Sequence, residues 1–195
     1  NFKSDFLSDA ERAQQKLDTV SSSFCLAKWK QLSLHLTTGM NNSCYHPPLH
    51  RADADAIKLN PSALHNTEHK KQQRKLMLEG TRPPECSYCW AMEDNDKLSD
   101  RHYRSGEPWA MKDFEIIKNA PWDQDITPSS VEVDFNSACN LSCSYCSPQY
   151  SSSWMRETKR EGAWPTSTPH NDPTHFVGER RPIPAREYNP YVEAF

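Results

Sequence analysis

Between Gln31 and Thr38 the chain alternates, with Leu32, Leu34 and Leu36 separated by Ser33, His35 and Thr37. A period of two sends successive side chains to opposite faces, so this run predicts a half-buried strand. Thr38-Gly39 is a turn signal, and Gly39 suits a turn whose backbone takes a positive φ. A short return strand then carries Cys44 back toward Cys25. A second alternating run, Val131-Glu-Val-Asp-Phe135, predicts another strand.

Helical signals surround these runs. Ser8-Asp-Ala-Glu11 has the form of a capping box and opens a helix over 9–16, which Ser21-Ser22-Ser23 ends. Asn66 caps a helix over 66–78 that Gly80 closes, and its Lys70, Lys71, Arg74 and Lys75 read as a solvated basic face. Pro108 stands in the first turn of a helix over 107–118, with Ala110, Met111, Phe114 and Ile117 on one face. The proline- and aspartate-rich stretch 119–130 reads as a linker, and 149–159 as a helix. Between Trp164 and Pro184 five prolines and no sustained periodicity mark a long loop, an insertion or a cover.

Composition narrows the picture. Apolar residues are 35% of the chain, against about 45–50%, glycine included, for globular domains. Mean hydropathy is -0.90, so a large self-sufficient core is not expected and the chain reads as part of something larger. It starts at Asn1 without methionine and stops at Phe195, just after Asn189 and Pro190 would cap and open a helix. A net charge of -3 offers no pull toward nucleic acid or anionic membrane. No apolar stretch approaches the roughly 18 residues that span a bilayer. Free thiols fit a reducing cytoplasm.

The chemistry lies in the seven cysteines. Cys139, Cys143 and Cys146 form a C-x3-C-x2-C loop directly after the second predicted strand. Cys25 and Cys44 bracket Gly39 as C-x13-G-x4-C, and Cys86-Ser-Tyr-Cys89 adds a C-x2-C pair. Three thiolates on a cubane iron–sulfur cluster leave the fourth iron open to another ligand. Four cysteines that end in a C-x2-C pair suit a second cluster, and equally a structural zinc ion. An odd count and tight pairs without a signal-peptide pattern argue against a disulfide framework.

The C-x3-C-x2-C loop, with Tyr145 before its last cysteine and Cys139-Asn-Leu at its start, resembles the radical SAM family. That resemblance implies a 4Fe-4S cluster on Cys139, Cys143 and Cys146, with S-adenosylmethionine chelating the open iron and the backbone of Tyr145 helping to position its adenine end. One electron then cleaves the cofactor to methionine and a 5'-deoxyadenosyl radical, which abstracts hydrogen from a substrate. It also implies an electron donor such as flavodoxin or ferredoxin, and a peptide or protein substrate. The first half resembles the twitch and SPASM auxiliary-cluster modules through Cys25, Gly39, Cys44, Cys86 and Cys89, with twitch, which has one auxiliary cluster, the better match. That implies a second 4Fe-4S cluster on those four cysteines, although such modules usually follow the barrel and here the cysteines precede it.

The expected fold is therefore α/β: the opening strand-loop-helix of a radical SAM partial (β/α) barrel over 126–195, preceded by a small α+β auxiliary module over 1–125. The Gly-Gly-Glu segment of the family's second strand is absent, so this stretch alone is expected to turn over little or no substrate. The rival is a zinc-stabilised binding module without catalysis, to which His46 and His50, just after Cys44, would lend ligands. Trp90 reads as a shield over a cluster or as ordinary core. His170 and His175 read as surface residues or as groups facing a substrate.

Overall fold

A computed structural model describes residues 7–148, 150–162, 182–184 and 187–195. The first helix, α1 (Asp9–Asp18), starts with the expected capping box: Ser8 accepts from the Glu11 N–H while the Glu11 carboxylate takes the Ser8 N–H. Its Ala10, Ala13 and Leu17 are buried. A buried turn leads through Cys25 into the one-turn helix α2 (Ala27–Lys30) and the strand β1 (Gln31–His35). The hairpin partner β2 (Met40–Asn42) pairs antiparallel with β1, and β3 (His50–Arg51) pairs antiparallel with β2.

The turn between β1 and β2 needs its glycine twice over. Gly39 has φ +71°, and a Cβ built there would lie 2.2 Å from the ring of Tyr191. Tyr191 belongs to the short helix α10 (Pro190–Glu193), which Asn189 caps by accepting from the N–H groups of Tyr191 and Val192. Asn189 Nδ2 also donates to Leu36 O at 2.8 Å, and the Ile183 N–H to Thr37 O at 2.7 Å, so the C-terminal segment clips the end of β1.

Several helices fill the connection from β2 to the last strand: α3 (Ala54–Leu59), α4 (Glu68–Leu78), α5 (Ser87–Glu93), α6 (Asp100–Gly106), α7 (Pro108–Met111) and α8 (Phe114–Lys118). The strand β4 (Ser130–Asp134) then pairs parallel with β1, and α9 (Ser152–Glu161) follows a loop. The four strands make one mixed sheet in the order β3-β2-β1-β4. This mixed α/β sheet crosses the 125/126 division expected from the sequence.

Two apolar cores sit on either side of the α2–β1 junction. One gathers Leu17, Phe24, Leu26, Trp29, Met77 and Phe114 around Cys25, Cys86 and Cys89. The other packs Leu32, Leu34 and Leu36 of β1 against Ile57, Leu64 and Tyr191.

Local expectations needed correction in four places. Asn66 does not cap α4; Thr67 does, and the buried Asn66 Oδ1 instead accepts from Arg74 and from the Ile126 N–H. Lys70 and Arg74 are not solvated: both are buried, Lys70 donating to His65 O and Arg74 to Lys28 O, which ties α4 to α2. The helix expected over 107–118 breaks into α7 and α8, where Asp113 is drawn to Lys30 at 2.8 Å and its carbonyl starts the next turn. The stretch read as a linker is held in place by Lys71 on Asp125, Lys30 on Thr127 O and the burial of Ile126. Most of the loop read over 164–184, with His170 and His175, lies outside the described residues. Among the described residues no helix is long and apolar enough to cross a membrane.

Candidate functional site

The fold brings Cys25, Cys44, Cys86 and Cys89 to a single cavity of about 20 Å³, whose wall also includes Lys28, Met77, Trp90 and Arg101. Each cysteine arrives by a different route. Cys25 is fixed between the fully buried Phe24 and Leu26, and Ser105 Oγ lies 3.8 Å from its sulfur. Cys44 is returned by the β1–β2 hairpin. Pro83 and Pro84 lead into a short 3-10 turn that ends at Cys86, and Cys89 follows in the first turns of α5.

Two buried cations border these thiols. Lys28, with its side chain 2% exposed, reaches Glu85 Oε1 at 2.5 Å. The other Glu85 oxygen shares a 2.6 Å hydrogen bond with His69 Nε2. Burial opposes the charge on Lys28, but the neighbouring Cys86, Glu85 and Cys44 outweigh it and hold its pKa above the ordinary value. Arg101 binds Glu93 through Nε and Nη2, each at 2.9 Å, and donates to Phe24 O at 3.0 Å.

Burial pushes the Cys44 thiol up to about 11, Cys86 to about 12 and Cys89 to about 11. Without metal these groups are neutral thiols at neutral pH, and a metal that binds them must displace their protons. Lys28 and Arg101, which border the thiols, are each already paired with a carboxylate, Glu85 and Glu93. In donor type alone the set suits a four-thiolate centre.

The sequence did not single out these two cations. The signal was present for Lys28, a lysine between Ala27 and Trp29 in an otherwise apolar stretch beside Cys25. The histidines weighed as rival ligands are otherwise engaged: His46 bonds Asp100 at 2.7 Å and stacks on Tyr88, while His50 bonds Thr67 Oγ1 at 2.8 Å. Neither lines the cavity. Trp90 belongs to the core, as one of its two readings has it, and it also lines the cavity and donates to Pro83 O at 2.7 Å.

Cys139, Cys143 and Cys146 occupy the loop from β4 to α9 and are all half-buried. The start of α9 holds this loop through its carbonyls. Ser151 Oγ donates to Leu141 O at 2.8 Å, while Ser152 Oγ and Ser153 Oγ donate to Cys139 O at 3.0 and 2.8 Å. Trp154 Nε1 donates to Cys143 O at 2.9 Å, and the Cys146 N–H to the same carbonyl at 3.0 Å. Tyr145 is 92% exposed. Its hydroxyl pKa is raised by a hydrogen bond to Cys143 and then by the charges of Cys143, Cys146 and Cys139.

Among the described residues no three His, Cys, Asp or Glu side chains converge closely enough to hold one metal ion. Comparison of the chain with family models, curated proteins and solved structures finds no match.

Proposed function

We propose that the chain is part of a radical SAM protein with two metal centres: a 4Fe-4S cluster on Cys139, Cys143 and Cys146, and a second, closed 4Fe-4S centre on Cys25, Cys44, Cys86 and Cys89. The observation that carries this reading is the partition of the cysteines. Four from three separate stretches line one cavity, and three share one half-exposed loop between a strand and a helix. Only the set of three leaves an iron for an outside ligand.

Cys139, Cys143 and Cys146 would hold the loop cluster, which would supply the one electron for reductive cleavage of S-adenosylmethionine. The chain's own residues have separable tasks. Ser151, Ser152, Ser153 and Trp154 fix the backbone of the loop that carries the thiols. Tyr145, exposed at the rim, is placed to meet the adenine end of the cofactor through its backbone, and an electron donor of the flavodoxin or ferredoxin kind reaches the same open loop. The role of the closed centre is electron transfer or structure, and the Lys28–Glu85 and Arg101–Glu93 pairs stand beside it. The substrate class this reading favours is a peptide or protein.

A second reading has its own support. A cavity of about 20 Å³ accommodates one zinc ion with less movement than a cubane requires, so Cys25, Cys44, Cys86 and Cys89 also suit a structural zinc site. The test is an electron paramagnetic resonance spectrum of the anaerobically reconstituted, reduced protein before and after adding S-adenosylmethionine. A cluster signal perturbed by the cofactor is the expected result. An unperturbed signal, or none, contradicts the radical reading, and zinc analysis of the same sample decides the second centre.

A further inference from the structure

Within the loop from β4 to α9, Cys143 and Cys146 are joined by a turn of their own. The Cys146 N–H donates to Cys143 O at 3.0 Å, the closure of a β-turn with Ser144 and Tyr145 at its centre. Such a turn holds its first and fourth Cα atoms within about 7 Å of each other, and a disulfide spans Cα separations of about 4.4–6.8 Å. The backbone of this pair is therefore already within reach of a disulfide.

Cys139 is held differently. Its carbonyl accepts from Ser152 Oγ and Ser153 Oγ, its N–H donates to Ser152 Oγ at 3.1 Å, and the Leu141 N–H donates to its sulfur at 3.4 Å. These bonds fasten it to the start of α9, outside the turn that joins the other two.

Access separates the loop pair from the other C-x2-C pair. Cys86 and Cys89 are each 7% exposed and packed in the core with Met77 and Trp90. Cys143 and Cys146 are half-buried, and Ser144 and Tyr145 between them are exposed. A small disulfide in solution reaches the loop pair without opening the core, and thiol–disulfide exchange follows access.

We propose that Cys143 and Cys146 are a reversible redox pair, closed to a disulfide by a low-molecular-weight disulfide such as glutathione disulfide while Cys139 stays a thiol. One thiol of the pair attacks glutathione disulfide, and its proton leaves with the glutathione released. The other thiol then displaces the second glutathione from the mixed disulfide. In sum one S–S bond breaks and one forms, and the two electrons and two protons lost by the protein end on two glutathione thiols. The consequence for metal rests on the radical SAM reading above: the closed loop offers one thiol instead of three, too few for a cubane. Reduction restores the set, so loading of the loop centre depends on redox state.

The test is treatment of the metal-free, reduced chain with glutathione disulfide, alkylation of the remaining thiols, and peptide mapping by mass spectrometry. Chymotryptic cleavage after Leu141 and Tyr145 separates the three loop cysteines. The expected product links the peptides of Cys143 and Cys146, with Cys139, Cys25, Cys86 and Cys89 alkylated. Cys143→Ala and Cys146→Ala should each retain one glutathione instead, while Cys139→Ala closes as the wild type does. Loading the chain with iron and sulfide beforehand should abolish the linked peptide.

No reaction, a disulfide to Cys139, a glutathione adduct that does not close, or earlier oxidation of Cys86 with Cys89 overturns the proposal, whatever iron the chain takes up. Closure that proceeds equally in the iron-loaded chain overturns the radical SAM reading and leaves the redox pair standing.

Discussion

The two cysteine groups are built in opposite ways. Cys25, Cys86 and Cys89 are buried in the core with Trp29, Met77 and Trp90, the half-buried Cys44 joins them at one cavity, and two buried ion pairs stand beside it. Cys139, Cys143 and Cys146 come from one short loop, half-buried, held by serine hydroxyls and one indole N–H. A centre inside the core is inseparable from folding, while a centre on a pinned loop can meet an outside molecule.

Arg101→Ala is the strongest way to break the comparison. It leaves Glu93 buried without its partner and should cost about 3–5 kcal/mol in urea unfolding; a loss under about 1 kcal/mol would mean that the first centre is not part of the core. Gly39→Ala comes next. The positive φ and the Tyr191 ring both oppose a side chain in the hairpin that returns Cys44, so a loss of about 2–3 kcal/mol is expected, with the C-terminal helix α10 released.

Acid should act on the first region and spare the loop. Burial lowers the pKa of His50 to about 3, and burial lowers that of His65 to about 4. Each is neutral in the fold, so its contribution is present above about 6.5 and is lost as pH falls toward those values. For His50 the loss is at most about 1.4 kcal/mol per pH unit. Unfolding free energies from pH 7 to 4 should show this slope in the wild type and a shallower one in His50→Gln. Ser152→Ala should have the smallest effect, about 1 kcal/mol and confined to the loop, seen as faster hydrogen exchange at Cys139 with little change in the global transition.

Much of this was legible in the sequence where the signal is local. The Ser8–Glu11 capping box, the β1 alternation, the Gly39 turn and the Asn189 cap all depend on neighbours within a few residues. What was not legible depends on distant partners. The parallel pairing of β1 with β4 joins residues about a hundred positions apart and runs across the division that a proline- and aspartate-rich stretch implied. The basic face of α4 reads as solvated only until the carbonyls of Lys28 and His65 turn out to receive Arg74 and Lys70. Ser33, on the polar side of an amphipathic strand, is buried because β1 lies inside the sheet and Glu132 covers it. Spacing grouped the cysteines, but it could not say that Lys28 and Arg101 stand beside the first group.

The central claim is that the seven cysteines form two independent centres. Iron, acid-labile sulfide and zinc per chain should be measured after anaerobic reconstitution of three proteins: the wild type, a variant with Cys139, Cys143 and Cys146 changed to Ala, and a variant with Cys25, Cys44, Cys86 and Cys89 changed to Ala. The account predicts about eight irons in the wild type and about four in each variant, with sensitivity to S-adenosylmethionine lost only when the loop cysteines are removed. No iron in the wild type, or loss of all metal from both variants together, would contradict it.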